Sequence, residues 1–145
     1  VPMTLQPLLV VLAGLWLGPR AGAASMVLYL TAGAAGLPVF APLGPPGIAR
    51  LLGPTGGYLI ACPLGAFTAG WIASRHATLG WRVLASVAGI AVLHIGGVAQ
   101  LAVLTGSLSR AFVLGSLPFL GIDAVKALLA ALTSPNRSPA HRAPA

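Results

Sequence analysis

The sequence has little charge and almost no acidic side chains. Of its 145 residues only 6% are charged, whereas about a quarter are charged in soluble domains, and 57% are hydrophobic. One acidic residue leaves no carboxylate pair for acid–base or metal catalysis, and one cysteine excludes a disulfide framework. We therefore expect neither an ordinary soluble domain nor an enzyme, and no cofactor.

The positive charges that remain are spread along the chain. The formal net charge is +7. A nucleic-acid-binding domain clusters its basic residues on one face, but here single arginines separate apolar runs, as in the loops of membrane proteins. The expected partner is the lipid bilayer, with no role for nucleic acid.

Charge-free intervals predict five membrane-spanning segments. A bilayer core about 30 Å thick needs roughly 20 apolar residues of helix. The first interval is short, the second is expected to break at Gly-Leu-Pro (36–38), and the last alone carries internal charges. The predicted fold is an all-α membrane protein, a compact transmembrane helix bundle, with spans at 4–18, 21–40, 55–74, 83–104 and 111–132.

The two ends of the chain differ in character. Residues 1–133 form the predicted membrane domain, and the polar, proline-rich residues 134–145 are a predicted disordered tail. The start at Val1 lacks the basic side chain of a signal peptide, so the first segment is interpreted as structure. Beginning on valine leaves room for residues upstream.

Arginine counting gives the orientation, because basic residues are retained in the cytoplasm. Five arginines fall in alternate connections and the tail, against two on the other side, and this bias predicts a cytoplasmic carboxyl terminus and an outer amino terminus. The five are Arg20, Arg75, Arg82, Arg137 and Arg142, and the two are Arg50 and Arg110.

Polar residues at membrane depth are the candidates for function. Asp123 and Lys126 are three residues apart and share a helix face, so they either hold a ligand or form a structural ion pair. Gln100 and His94 lie in the fourth span, about 120° apart around the helix, and are not expected to line one surface together. Each has an alternative interpretation as an interhelical hydrogen bonder.

The outer connection at 36–57 cannot be a regular helix. It contains five prolines and six glycines, which remove backbone donors and permit unusual dihedrals. We expect a lid or binding loop here, with an irregular connector as the alternative.

Four motifs, in order along the chain, resemble the BioY family, the biotin-binding S components of energy-coupling-factor (ECF) vitamin transporters. They are Val-Pro-Met-Thr-Leu-Gln at 1–6, Leu-Gly-Pro-Arg at 17–20, Gly-Leu-Pro-Val-Phe-Ala at 36–41 with Leu-Gly-Pro-Thr-Gly-Gly-Tyr-Leu at 52–59, and Pro-Phe-Leu-Gly-Ile-Asp-Ala-Val-Lys at 118–126. In the last, Gly121-Ile122 replaces the family's Pro-Gly.

The resemblance implies a six-helix protein of the bacterial plasma (inner) membrane, with the family's first helix missing here. It implies capture of biotin at the outer face for ATP-driven import, with an ECF transmembrane coupling subunit and two ATPase subunits as partners. An S component for another vitamin and a non-transport structural subunit of a membrane complex are the alternatives.

By the same resemblance, Asp123 would accept from the ureido N–H groups of biotin and Lys126 would donate to a ring or tail oxygen. Thr55 and Tyr58 could add a hydroxyl and a ring face, with a helix cap and an interfacial anchor as their alternatives. Backbone N–H groups around Gly57 could favour the carboxylate, and Gln100 could reach the same level.

Overall fold

The computed structural model describes residues 4–40, 42 and 44–135, and the regular structure in these ranges is helical throughout. A 3₁₀ turn at Leu117–Phe119 precedes the last helix. This agrees with the predicted all-α class. The helices are α1 (Gln6–Leu17), α2 (Pro19–Ala34), α3 (Ile48–Leu52), α4 (Gly56–Ile60), α5 (Cys62–Ala73), α6 (Leu79–Thr105), α7 (Leu108–Gly115) and α8 (Leu120–Thr133).

The five predicted spans correspond to α1, α2, α4 with α5, α6, and α7 with α8, but two of them are interrupted near a proline. Pro63 lies at the start of α5, and Pro118 lies in the 3₁₀ turn before α8. Proline lacks an N–H and its ring clashes with the carbonyl four residues earlier, so a helix restarts there. The break expected at 36–38 is confirmed, because α2 ends at Ala34 and Gly36 adopts φ +100°.

The outer surface of the bundle is apolar. Within the part of the chain that the structure describes, two helical segments are long and apolar enough to cross a membrane, Leu79–Thr105 and Leu108–Thr133, yet only 28% of an 18-residue apolar window of each is buried inside the protein. On α6 the side chains of Ile95 and Val103 are 71% and 83% exposed. Long apolar helices that are so little covered by the rest of the protein are suited to the hydrocarbon core of a bilayer. This is expected of an integral membrane protein.

Small residues bring α1, α2 and α5 into backbone contact. A Cβ built on Gly14 would lie 2.9 Å from the backbone nitrogen of Gly70, and one on Gly22 would lie 2.9 Å from Gly14 Cα. In lipid there is no hydrophobic drive between helices, so such close approach is what stabilises their association. This packing fixes the carboxyl-terminal end of α1 against α2 and α5.

The carboxyl end of α8 is fastened to the start of α6. Arg82 donates through Nη1 to the carbonyl oxygen of Ser134, and Ser134 is itself buried. The predicted tail lies outside the described residues from 136 onward, so the proposed boundary at 133/134 stays a prediction.

Candidate ligand-binding site

The two charges of α8 form one buried ion pair. Asp123 and Lys126 are only 5% and 7% exposed, and Lys126 Nζ lies 2.8 Å from Asp123 Oδ1. Asp123 lies in the first turn of α8, where the helix dipole stabilises a carboxylate. The shared face expected from the spacing is present.

Other helices complete this pair with polar partners. His94 Nε2 on α6 lies 2.7 Å from Asp123 Oδ2, and His94 Nδ1 lies 2.8 Å from the hydroxyl of Ser116. Lys126 Nζ also donates to the carbonyl oxygen of Thr4, at 2.7 Å. The network therefore joins the start of α1 to α6, α8 and the α7–α8 connection.

A cavity opens beside this network. About 680 Å³ of space lies within its outline, open solvent at the mouth included. Apolar side chains such as Phe40 and Phe119 supply part of the wall. The polar lining residues are Thr4, Gln6, Arg50, Thr55, Tyr58, His94, Asp123 and Lys126.

Arg50 gives the cavity an excess of one positive charge. Its side chain extends from α3 in the outer connection, is only 5% exposed, and has a buried Nε with no hydrogen-bond partner among the described residues. Asp123 is the one acidic side chain of the sequence, and it is already bound by Lys126 and His94. A buried cation without an anion is costly, so this position favours a negatively charged ligand group.

Thr55 and Tyr58 line the cavity, as the sequence analysis anticipated. Thr55 precedes α4 but makes no side-chain capping hydrogen bond. Tyr58 donates its hydroxyl to the carbonyl of Gly115, and its ring lies edge-on to His94 with centroids 6.1 Å apart. Tyr58 therefore presents mainly a ring surface to the cavity.

Gln100 and Gly57 do not line the cavity. Gln100 donates through Nε2 to the carbonyls of Leu51 (2.9 Å) and Gly53 (2.6 Å), so it binds the outer connection to α6. A Cβ on Gly57 would lie 2.8 Å from Gln100 Cβ, so Gly57 permits close packing of α4 on α6. Gln100 therefore supports the cavity wall from behind, and Gly57 contributes through close backbone packing.

Sequence reasoning did not assign His94, Arg50, Thr4 and Gln6 to the site. Arg50 counted only as a loop charge. His94 was a candidate for function with an interhelical hydrogen bond as its alternative, but it was not assigned to the site. One signal was available: a buried carboxylate needs donors, and His94 is a polar residue inside an apolar span. The contacts of Thr4 and Gln6 depend on α1 packing beside α8, which no local pattern reveals.

Comparisons with known proteins identify the family of this chain. The family model described as the BioY family matches residues 1–143. The chain belongs to the BioY family. Among relatives, the probable biotin transporter BioY of Pyrococcus horikoshii is 46% identical, across 91% of this chain and 77% of that protein. The biotin transporter BioY of Thermotoga maritima is 38% identical, across 91% and 78%.

A solved structure shares the BioY-family fold seen here. The S-component for biotin from an ECF-type ABC transporter superposes with a TM-score of 0.83 at 28% identity, covering 91% of this chain and 72% of that one. The Gly121-Ile122 departure from the BioY pattern leaves α8 continuous, since Gly121 is helical and exposed. Asp123 and Lys126 keep their relative position in this helix.

Proposed function

We propose that the chain is the substrate-binding membrane subunit of a biotin uptake transporter. The observation that carries this proposal is the buried Asp123–Lys126 pair in a partly apolar cavity that Arg50 also lines, with no acidic partner for Arg50 among the described residues. The names of its BioY relatives and of the similar solved structure support biotin as the ligand. The chain binds and releases the vitamin and performs no chemistry on it.

The ureido ring of biotin fits the α8 pair. In a cyclic urea each N–H lies beside the carbonyl, so one edge of the ring offers a donor and an acceptor next to each other. Asp123 Oδ1 and Lys126 Nζ, 2.8 Å apart, offer the complementary acceptor and donor. Lys126 donates to two protein oxygens, which leaves one of its three N–H groups for the ureido oxygen.

The valerate carboxylate of biotin fits Arg50. A guanidinium can bind a carboxylate through two hydrogen bonds, and Arg50 has no acidic partner among the described residues. The rings of Phe40 and Phe119 supply apolar wall for the sulfur ring. Lys126 is thus assigned to the ureido oxygen and Arg50 to the carboxylate.

The cavity faces outward in this proposal, and the carboxyl terminus is cytoplasmic. The arginine bias supports this orientation, and Arg82 and Ser134 lie together at the end of the bundle that it places inside. ATP-driven import then needs an ECF transmembrane coupling subunit and two cytoplasmic ATPases as partners, in the bacterial inner membrane.

Retention of labelled biotin by membranes that contain the chain tests the binding function. Unlabelled biotin, thiamine and riboflavin serve as competitors, with Asp123→Asn as the test variant and Ser109→Ala, at an exposed hydroxyl on α7, as the control. We expect displacement by biotin alone, loss in Asp123→Asn and full retention in the control. Displacement by another vitamin would reassign the ligand.

The structural-subunit alternative has its own test. Replacing both Asp123 and Lys126 by leucine removes the pair without leaving one charge alone. If the pair only locks helices, this variant keeps the function of the wild type. We expect instead that it inserts into the membrane and retains no biotin.

Reporter fusions at the carboxyl terminus test the orientation. Green fluorescent protein matures in the cytoplasm, whereas alkaline phosphatase is active outside it. We expect a fluorescent fusion and an inactive phosphatase fusion. The opposite pair of results would invert the proposed topology and place the cavity on the cytoplasmic side.

A further inference from the structure

Both ring nitrogens of His94 contact polar groups of the protein. The inference drawn from these contacts rests on the biotin-binding function proposed above. The imidazole projects from α6 and its side chain is 15% exposed. Nε2 lies 2.7 Å from Asp123 Oδ2, and Nδ1 lies 2.8 Å from Ser116 Oγ. Both nitrogens are therefore used by the protein, and neither is available to a ligand.

Asp123 decides which nitrogen of the imidazole faces it with a proton. A neutral histidine has one N–H and one acceptor nitrogen. The Asp123 carboxylate can only accept, so Nε2 carries a proton, and the Ser116 hydroxyl, which can donate or accept, is the hydrogen-bond partner of Nδ1. Ser116 is 1% exposed and lies in the connection between α7 and α8, so this partner of Nδ1 is fixed in place.

The consequence for Asp123 is a fixed carboxylate plane. Lys126 holds Oδ1 and His94 holds Oδ2, so the two donors lie on different oxygens. An aspartate bound at one oxygen alone can turn about its terminal bond, which is a broad torsion. Binding at both oxygens keeps Oδ1 beside Lys126, where the donor and acceptor match the ureido edge.

We propose that His94 is a positioning residue for the ligand: it donates from Nε2 to Asp123, is held at Nδ1 by Ser116, and so orients the Asp123 carboxylate toward the ureido edge of biotin. His94 touches the ligand only as apolar ring surface. Its effect on affinity therefore passes through Asp123, and this distinguishes it from a residue that merely packs α6 against α8.

The test compares two variants and four ligands on purified, folded chain in detergent. His94→Leu removes the donor to Asp123, whereas His94→Gln places an amide N–H close to the position of Nε2. His76→Gln, at an exposed histidine, is the control. The ligands are biotin, biotin methylated at one or the other ureido nitrogen, and biotin methyl ester.

We expect His94→Leu to lower the affinity for biotin about tenfold, the usual scale for a hydrogen bond to a charged group. His94→Gln should recover most of that loss. The loss should persist with the methyl ester and disappear for the ligand whose methyl group blocks the N–H facing Asp123. Equal losses for all ligands, or none, would overturn the positioning role while leaving biotin binding established. Wild-type protein that binds no biotin would overturn both proposals.

A ligand-free measurement guards against a variant that does not fold. Nitrogen-15 spectra of histidine-labelled protein distinguish the two neutral forms, and subtraction of the His94→Gln spectrum identifies His94. We expect a proton on Nε2 in the wild type and also in Ser116→Ala, because the Asp123 carboxylate accepts from Nε2 in both. An Nδ1–H form in the wild type would overturn the assignment.

Discussion

Helix α1 begins and ends in two different environments. At its start, Thr4 and Gln6 line the cavity, and the Thr4 carbonyl accepts from Lys126. Two turns later Gly14 meets the backbone of α5 so closely that a Cβ would lie 2.9 Å from Gly70 N. At the cavity end of the bundle, hydrogen bonds to charged groups join the helices. At the other end, the helix backbones are in direct contact.

The difference shows how a small bundle keeps a cavity in a membrane. Close packing at one end supplies the dispersion contacts that stabilise helices in lipid. The other end can then carry buried charges, which are expensive and need partners. Four variants, given in order of expected effect, test whether the cavity end determines ligand binding and the closely packed end determines stability.

Asp123→Asn is expected to have the largest effect. It removes the anion from Lys126 and His94, and truncating one partner of a buried charge pair costs about 2–5 kcal/mol, roughly 30-fold or more in affinity. Isothermal titration with biotin measures the loss. Because the glycine-packed end is untouched, the variant should stay folded; unaltered affinity would show that the carboxylate is not part of the biotin site.

Arg50→Gln should lower the affinity for biotin by about tenfold or more, since a hydrogen bond to a charged group contributes about 1.5–3 kcal/mol. The exposed Arg110→Gln has the same change in charge and should bind as the wild type. With biotin methyl ester the difference between Arg50→Gln and wild type should vanish. A persistent difference would mean that Arg50 does not bind the carboxylate.

Gly14→Ala tests the packed end. The added Cβ would meet backbone atoms of α5, and overpacking typically costs about 1–3 kcal/mol. Gly80→Ala, with nothing within 4 Å of its Cβ, is the control and should not destabilise. Thermal unfolding in detergent measures both. A Gly14→Ala protein as stable as the wild type would show that close packing is not what holds this end.

Gln100→Ala should have the smallest effect, a few-fold loss of affinity, because each of its two hydrogen bonds to the outer connection contributes about 0.5–1.5 kcal/mol. Its amide fixes the carbonyls that follow Arg50, so exchange of the backbone amides of Gly53 and Gly56 should accelerate. Thr68→Ala, whose hydroxyl bonds only within α5, is the control. Unaltered exchange with weaker binding would favour direct contact between Gln100 and biotin.

The sequence by itself determined the helical class, the membrane environment, the break at 36–38 and the shared face of Asp123 and Lys126. Each depends on neighbours along the chain, through hydrophobic length, missing N–H groups and the spacing of three residues on one helix. The BioY resemblance came from the same local motifs.

Tertiary structure alone decided which polar residues face one another. His94 is 29 residues from Asp123, and Thr4 is 122 residues from Lys126. Arg50 lines the cavity while Gln100 supports the loop behind it. Such contacts depend on how helices rotate and cross when they pack, and small residues distant in sequence set that arrangement.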